Sequence, residues 1–424
     1  MKTLKRKTRI TKIVSIAFII LFASVVLDAC TMNAIIDVQN TEDKLQTPDL
    51  PYNIVGTNQI SFFDDTKEIS APLLGEEYYG QNALYNKNQT SYTDNADGTI
   101  TDNITGLMWQ KYAGDKMTYN KAVSGASSFD LYGYTDWRLP TIKELYSLII
   151  FSGIDPSGYN GNSTTGLVPF IDTDYFDFEY GNPNAGERII DSQFATSSLD
   201  VGDSNFGGGN LMFGVNFADG RIKGYPTGAM PGKSEGKTFF VLYVRGNQNY
   251  GDNEFIENSN ATITDNATGL MWMKDDSGIG MNWQQALEYA EGKELAGYSD
   301  WRLPNIKELQ SIVDYLRSPG SSNSAAIDAV FDCTEIINEG GQKDYAYYWS
   351  GTTHENMKSG GNAAYISFGR ALGYFNGAWQ DVHGAGAQRS DPKVGDATNW
   401  PTGHGPQGDA IRINNFVRLV RDVN

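Results

Sequence analysis

Cysteine is almost missing from this 424-residue chain, which has only Cys30 and Cys333. Two cysteines exclude a disulfide-stapled scaffold and a cysteine-rich zinc site. Histidine is nearly as scarce. His354, His383 and His404 are scattered, with no His-Glu-x-x-His or similar zinc spacing. A Gly-x-Ser-x-Gly elbow and a phosphate-cradling glycine loop are both lacking. The many carboxylates would suffice for a glycosidase pair, but spacing nominates none. Positive charge is short too, with 33 Lys+Arg against 51 Asp+Glu and a net charge of −18. Such a surface repels phosphate backbones and opposes docking on anionic lipid or sulfated polysaccharide by bulk charge. Proline numbers only 14, whereas 46 glycines, 40% hydrophobic and 12% aromatic residues describe a folded, turn-rich protein.

Only one long apolar run exists, and it is at the amino terminus. Lys2 to Lys12 form a basic region, and Ile13 to Leu27 an apolar stretch of 15 residues. That is short for a membrane span, which needs about 20 apolar residues, and suits a secretory signal. Leu27-Asp28-Ala29-Cys30 resembles the lipobox of bacterial lipoproteins, with Asp28 an unusual residue there. The expectation is a signal over residues 1–29, lipidation of Cys30, and a membrane-anchored chain on the bacterial outer membrane. Residues 30–57, polar and holding Pro48 and Pro51, read as a flexible tether.

The remainder is written twice. Asp102-Asn-Ile-Thr-Gly-Leu-Met-Trp109 recurs as Asp265-Asn-Ala-Thr-Gly-Leu-Met-Trp272, and Gly133-Tyr-Thr-Asp-Trp-Arg-Leu-Pro140 as Gly297-Tyr-Ser-Asp-Trp-Arg-Leu-Pro304. Lys143-Glu144-Leu145 matches Lys307-Glu308-Leu309, and Val241 to Arg245 corresponds to Val417 to Arg421. A period near 160 residues is too long for a solenoid and predicts two tandem domains, 58–246 and 252–424, joined by a Gly/Asn-rich linker. Asp97-Gly98 predicts a hairpin turn. Thr141-x-x-Glu144 and Asn305-x-x-Glu308 predict capped amphipathic helices reaching Ile149 and Val313. Helices followed by strands and glycine-rich loops give an α+β class.

These blocks resemble the Lcl C-terminal domain family, named for the C-terminal domain of a collagen-like bacterial adhesin. The carrying motifs are Thr-Asp-Asn-x-Thr-Gly-Leu-Met-Trp, Tyr-x-Asp-Trp-Arg-Leu-Pro-x-x-Lys-Glu-Leu and Val-Arg-x-Val-Arg. The resemblance implies two lectin-like domains, related to C-type lectins and formylglycine-generating enzymes, each with a small twisted antiparallel sheet and two helices. Cysteines that many members carry fall at Ala290 and Leu419 here, so that staple is absent from the second copy.

Trp137-Arg138 and Trp301-Arg302 have two readings: a sugar platform, or core tryptophans with arginines satisfied by Glu144 and Glu308. The architectural reading is preferred, and Trp109 and Trp272 are expected in the core. Ligand-binding candidates are Trp379, His383, Trp400 and His404 in an insertion from Gly377 to Asp409, with Tyr175 and Tyr180 as the counterpart in the first copy. Asp94, Asp97 and Asp102 lack the EF-hand ladder, so neither calcium nor any other cofactor is expected. The expected role is non-catalytic: glycan or matrix recognition at the cell surface. A structural envelope lipoprotein with a protein partner, or a carboxylate hydrolase, is the alternative.

Overall fold

The computed structural model describes residues 50–202, 210–229 and 235–423. The expected signal, Cys30 and most of the tether lie outside them. Among the described residues no helix is long and apolar enough to cross a membrane.

The first copy opens with β1 (Tyr92–Asp94), β2 (Thr99–Asp102) and β3 (Leu107–Gln110). The β1–β2 turn is the one that Asp97-Gly98 announced, with Gly98 at φ +88, a conformation a side chain would resist. Helices α1 (Tyr119–Ala126) and α2 (Ile142–Tyr146) follow, then β4 (Gln193–Phe194), β5 (Leu211–Asn216), β6 (Arg221–Pro226) and β7 (Val244–Gly246). The second copy repeats this with β8 (Phe255–Glu257), β9 (Thr262–Asp265), β10 (Leu270–Met273), α3 (Trp283–Glu291) and α4 (Ile306–Ser311). Its strand-rich half holds β11 (Tyr347–Thr353), β12 (Asn362–Ser367), β13 (Leu372–Phe375), β14 (Ala378–Asp381), β15 (Gln388–Pro392) and β16 (Val420–Asp422). All named strand pairs are antiparallel, so the class is α+β with sheet predominating.

Each copy has its own four-stranded sheet, in the orders β7-β3-β2-β1 and β8-β9-β10-β16. The six-stranded sheet belongs to both copies. Its order is β11-β12-β15-β6-β5-β4, three strands from each copy, with β15 and β6 meeting at Gln388 and Ile222. Beneath it runs one core built from both copies, where Trp109, Leu145 and Phe213 join Trp272, Leu309 and Ile366. The buried residues of two smaller cores come from one copy each, around Trp137 and Tyr243 in the first and Trp301 and Trp349 in the second, where Tyr78 of the first also packs.

The capping boxes of α2 and α4 are closed by Thr141 with Glu144 and by Asn305 with Glu308. Both helices are shorter than their apolar spacing predicted. After Tyr146 the amides of Leu148 and Ile149 reach back only three residues, to Leu145 and Tyr146, and Ile150 bonds Phe170 instead. The apolar side chains stay buried while the backbone leaves the helix.

The described end of the expected tether and the expected linker are both part of the fold. The Tyr52 amide bonds Ala267, Gly56 bonds Asn88 and Thr57 accepts from Phe151; Tyr52 and Val55 are buried, and Tyr52 joins the core built from both copies. In the expected linker, Tyr250 is buried with its ring 4.9 Å from Tyr52. Residues from Pro51 onward form one compact unit.

The join is reciprocal. Lys143 Nζ donates to the Ser311 carbonyl at 2.7 Å, and Lys307 Nζ to the Ser147 carbonyl at 2.8 Å. Lys143 also bonds Gly251 and Asn253, and Lys307 also bonds Gly56. Burial lowers both ammonium pKa values, to about 8 for Lys143 and about 7 for Lys307. The repeated Lys-Glu-Leu therefore supplies a pin from each copy into the other.

Candidate functional site

The repeated tryptophan motif is architecture. Trp109, Trp137, Trp272 and Trp301 are all buried. Arg138 pairs with Glu144, and Arg302 pairs with Glu308 through two bonds of 2.7 and 2.8 Å. Asp136 and Asp300 hold Arg245 and Arg421, whose guanidinium carbons lie 3.9 and 3.8 Å from the ring centroids of Tyr134 and Tyr298. None of these groups lines the large groove over the shared sheet. The carboxylates considered for calcium are turn residues: Asp94, Asp97 and Asp102 accept from the amides of Ala96, Thr99 and Ile104.

That groove lies over the seam of the sheet. It measures about 1690 Å³, is floored by β6 and β15 and is walled by loops of both copies. Strand alternation explains the floor. Ile222 points into the core, while Arg221, Lys223 and Tyr225 line the groove, with Arg389 beside them from β15. The rim carries Tyr159 from the first copy and Trp400 and His404 from the second. Tyr159 and Trp400 are half-buried, leaving ring surface to solvent.

The charged floor is locked internally. Arg221 bonds Asp155 at 2.7 Å, Lys223 pairs with Asp219, and Arg389 pairs with Asp409. His383 supports the last pair from below, its Nε2 2.9 Å from Asp409. Burial opposes ionisation of Asp155 and Asp409, but the adjacent guanidiniums of Arg221 and Arg389 win and hold both carboxyls well below their usual range. Burial, with the neighbouring arginines, lowers the Lys223 pKa to about 8 and that of His383 to about 4. At neutral pH the floor is thus ion pairs over a neutral imidazole. The Tyr225 hydroxyl and Arg389 Nη1 make no hydrogen bond among the described residues.

Of the residues nominated from sequence, Trp400 and His404 line the groove and His383 sits behind it, buried. Trp379 lies elsewhere, on β14 against Tyr374 at 5.3 Å. Tyr175 packs on Tyr92 at 5.3 Å and Tyr180 on Phe178 at 4.9 Å, and neither lines the groove. The insertion from Gly377 is not one surface loop, because β15 runs through it as a central strand with Gln388 and Asp391 fully buried. Sequence reasoning missed Arg221, Lys223, Arg389 and Asp409. Arg221-Ile-Lys-Gly-Tyr225 did carry a signal, the period-two alternation of a strand with one polar face.

The family model of the Lcl C-terminal domain matches residues 98–245 and again 261–389. No curated protein and no solved structure matches the chain. With two matches that together cover more than half its length, the chain belongs to the Lcl C-terminal domain family, as a tandem repeat of that domain.

Proposed function

We propose that this chain is a non-catalytic binding protein of the cell surface, anchored through Cys30, which takes an extended glycan in the groove over the shared sheet. The two copies are read as lectin-like domains. The carrying observation is the groove itself, with donors and acceptors fixed on its floor and half-exposed aromatic rings on its rim. That combination suits a sugar ring, which offers hydroxyls at its edge and a C–H face to an aromatic. The volume exceeds the roughly 300–1,000 Å³ of small-molecule pockets and favours a polymer. A collagen-like adhesin as namesake of the family agrees with a surface role.

The carboxylates favour binding over hydrolysis. Glycoside cleavage needs a general acid whose pKa is raised. On this floor Asp155 and Asp409 are lowered, and Asp191 in the wall is lowered to about 2 because Arg188 outweighs its burial.

The test uses residues 31–424, which contain the whole compact unit, on a broad glycan and polysaccharide array with and without calcium. Binding that falls about ten-fold in Trp400→Ala but not in Trp379→Ala supports the groove. Binding that Trp379→Ala abolishes and Trp400→Ala spares would move the site to the β13–β14 hairpin. Silence across the array from a folded protein removes the proposal and leaves a protein partner as the reading to pursue.

A further inference from the structure

Resting on the groove as the glycan site, we infer that its ligand is a neutral, hydroxyl-rich polysaccharide rather than a polyanion. The charge count along the groove carries this. Six lysines and arginines line it together with five carboxylates, and Asp219 beneath the floor is the sixth. The groove is balanced, inside a chain whose net charge is −18.

Balance alone would leave the cations free to regroup around an anion, but four of the six are already held in ion pairs, which leaves only Lys237 and Lys358 to meet one. The three floor cations already hold carboxylates, and on the wall Arg188 bonds Asp191 at 2.7 Å. The floor side chains are mostly buried, with Arg221, Lys223 and Arg389 each 11–12% exposed. A sulfate or uronate reaching them would have to displace a buried carboxylate and leave that charge unpaired, which is costly in a low-dielectric site. It would also approach against the field of the whole protein.

A neutral sugar meets neither obstacle. A hydroxyl donates and accepts at once, and an ion pair presents a donor and an acceptor side by side. Vicinal hydroxyls can bridge such a pair without changing its charge. Tyr159 and Trp400 on the rim supply apolar faces that need no counter-charge on the ligand. Recognition would then rest on hydrogen-bond geometry and stacking, neither of which salt screens strongly.

The experiment is affinity electrophoresis of residues 31–424 through gels holding a panel of neutral polysaccharides, each beside its own sulfated derivative. It is repeated between about 50 and 200 mM NaCl. The expected result is retardation by at least one neutral polymer. Its dissociation constant should stay within about two-fold across that salt range, rise about ten-fold in Trp400→Ala, and weaken on sulfation of the same backbone. Tighter binding to the sulfated member, with affinity falling steeply as salt rises, overturns the neutral-ligand inference. If Trp400→Ala still weakens that binding, the groove survives as the glycan site. No retardation by either member of any pair overturns both.

Discussion

In the shared sheet the first copy passes from β5 to β6 in the four residues Phe217–Gly220, whereas the second spends Phe368–Ala387 getting from β12 to β15. That extra length builds the β13–β14 hairpin and brings His383 under the groove. The frame around it hardly differs. Both copies keep a four-stranded sheet, two helices, a Trp-Arg-Leu-Pro segment locked to a helix carboxylate, and a lysine reaching into the other copy. The repeat therefore preserves what makes the copies fold and dock. The chemistry at the groove comes mainly from what the copies do not share.

The equivalence of the frames is sharpest at the arginine–glutamate pairs, and so is its limit. Arg302 and Glu308 side chains are 6% and 10% exposed and share two bonds, while Arg138 is 27% exposed beside Glu144. Arg302→Met leaves Glu308 buried and unpaired and is expected to cost about 3–5 kcal/mol. Arg138→Met should cost about 1.5–3 kcal/mol, since water reaches the pair. Urea midpoints compared at a common slope would test this, and equal losses would break the distinction.

The paired lysines give the next effect. Folded Lys307 stays neutral until the pH falls to about 7, whereas the unfolded chain protonates it near 10.5. Between these values the unfolded state binds more protons, so this lysine makes stability fall as pH drops from 10.5 to 7 and no further below. The slope is at most about 1.4 kcal/mol per pH unit. Lys307→Met should flatten it across pH 7.5–9.5 more than Lys143→Met does, because Lys143 titrates nearer 8. Denaturant titrations at several pH values would read this out. A flatter line from Lys143→Met than from Lys307→Met would contradict the ordering.

Acid separates the copies differently, because all three histidines belong to the second. His354 lies in the shared core, stacked 5.2 Å from Phe170 with Nε2 2.9 Å from the Asp219 carbonyl. Burial lowers its pKa to about 3 against an ordinary 6.5, so stability is lost as pH falls from 6.5 towards 3. His354→Phe should move the acid-unfolding midpoint downward, and an unchanged midpoint would remove this histidine from the account. The smallest effect on folding is expected from Trp400→Ala, about 1 kcal/mol or less, although the same change should weaken ligand binding most. A thermal melt read beside the binding curve distinguishes the two.

Much of the frame was legible in the sequence. The hairpin at Asp97-Gly98, the two capping boxes and the buried tryptophans each follow from local rules that tertiary contacts do not override. The groove was not, because Arg221 meets Asp155 in its own copy and Ser390 of the other, residues far apart in the chain that come together only through a sheet shared by both copies. Periodicity shows that β6 has a polar face, yet not what lies opposite it. The docking of Lys143 and Lys307 was hidden for the same reason: a repeated lysine after a helix cap looks like a solvated residue until the other copy is placed against it.

The sheet seam has one more consequence. Two identical chains meeting strand to strand about a true two-fold axis would present the same groove read from either end. Here a single chain encodes both halves and has let them diverge, with Tyr159 contributed by the first copy and Trp400 and His404 by the second. The groove therefore has a direction. A polymer that itself runs from a reducing to a non-reducing end meets different neighbours in its two orientations, so the fusion of two copies confers polarity of threading that no symmetric dimer of either copy offers.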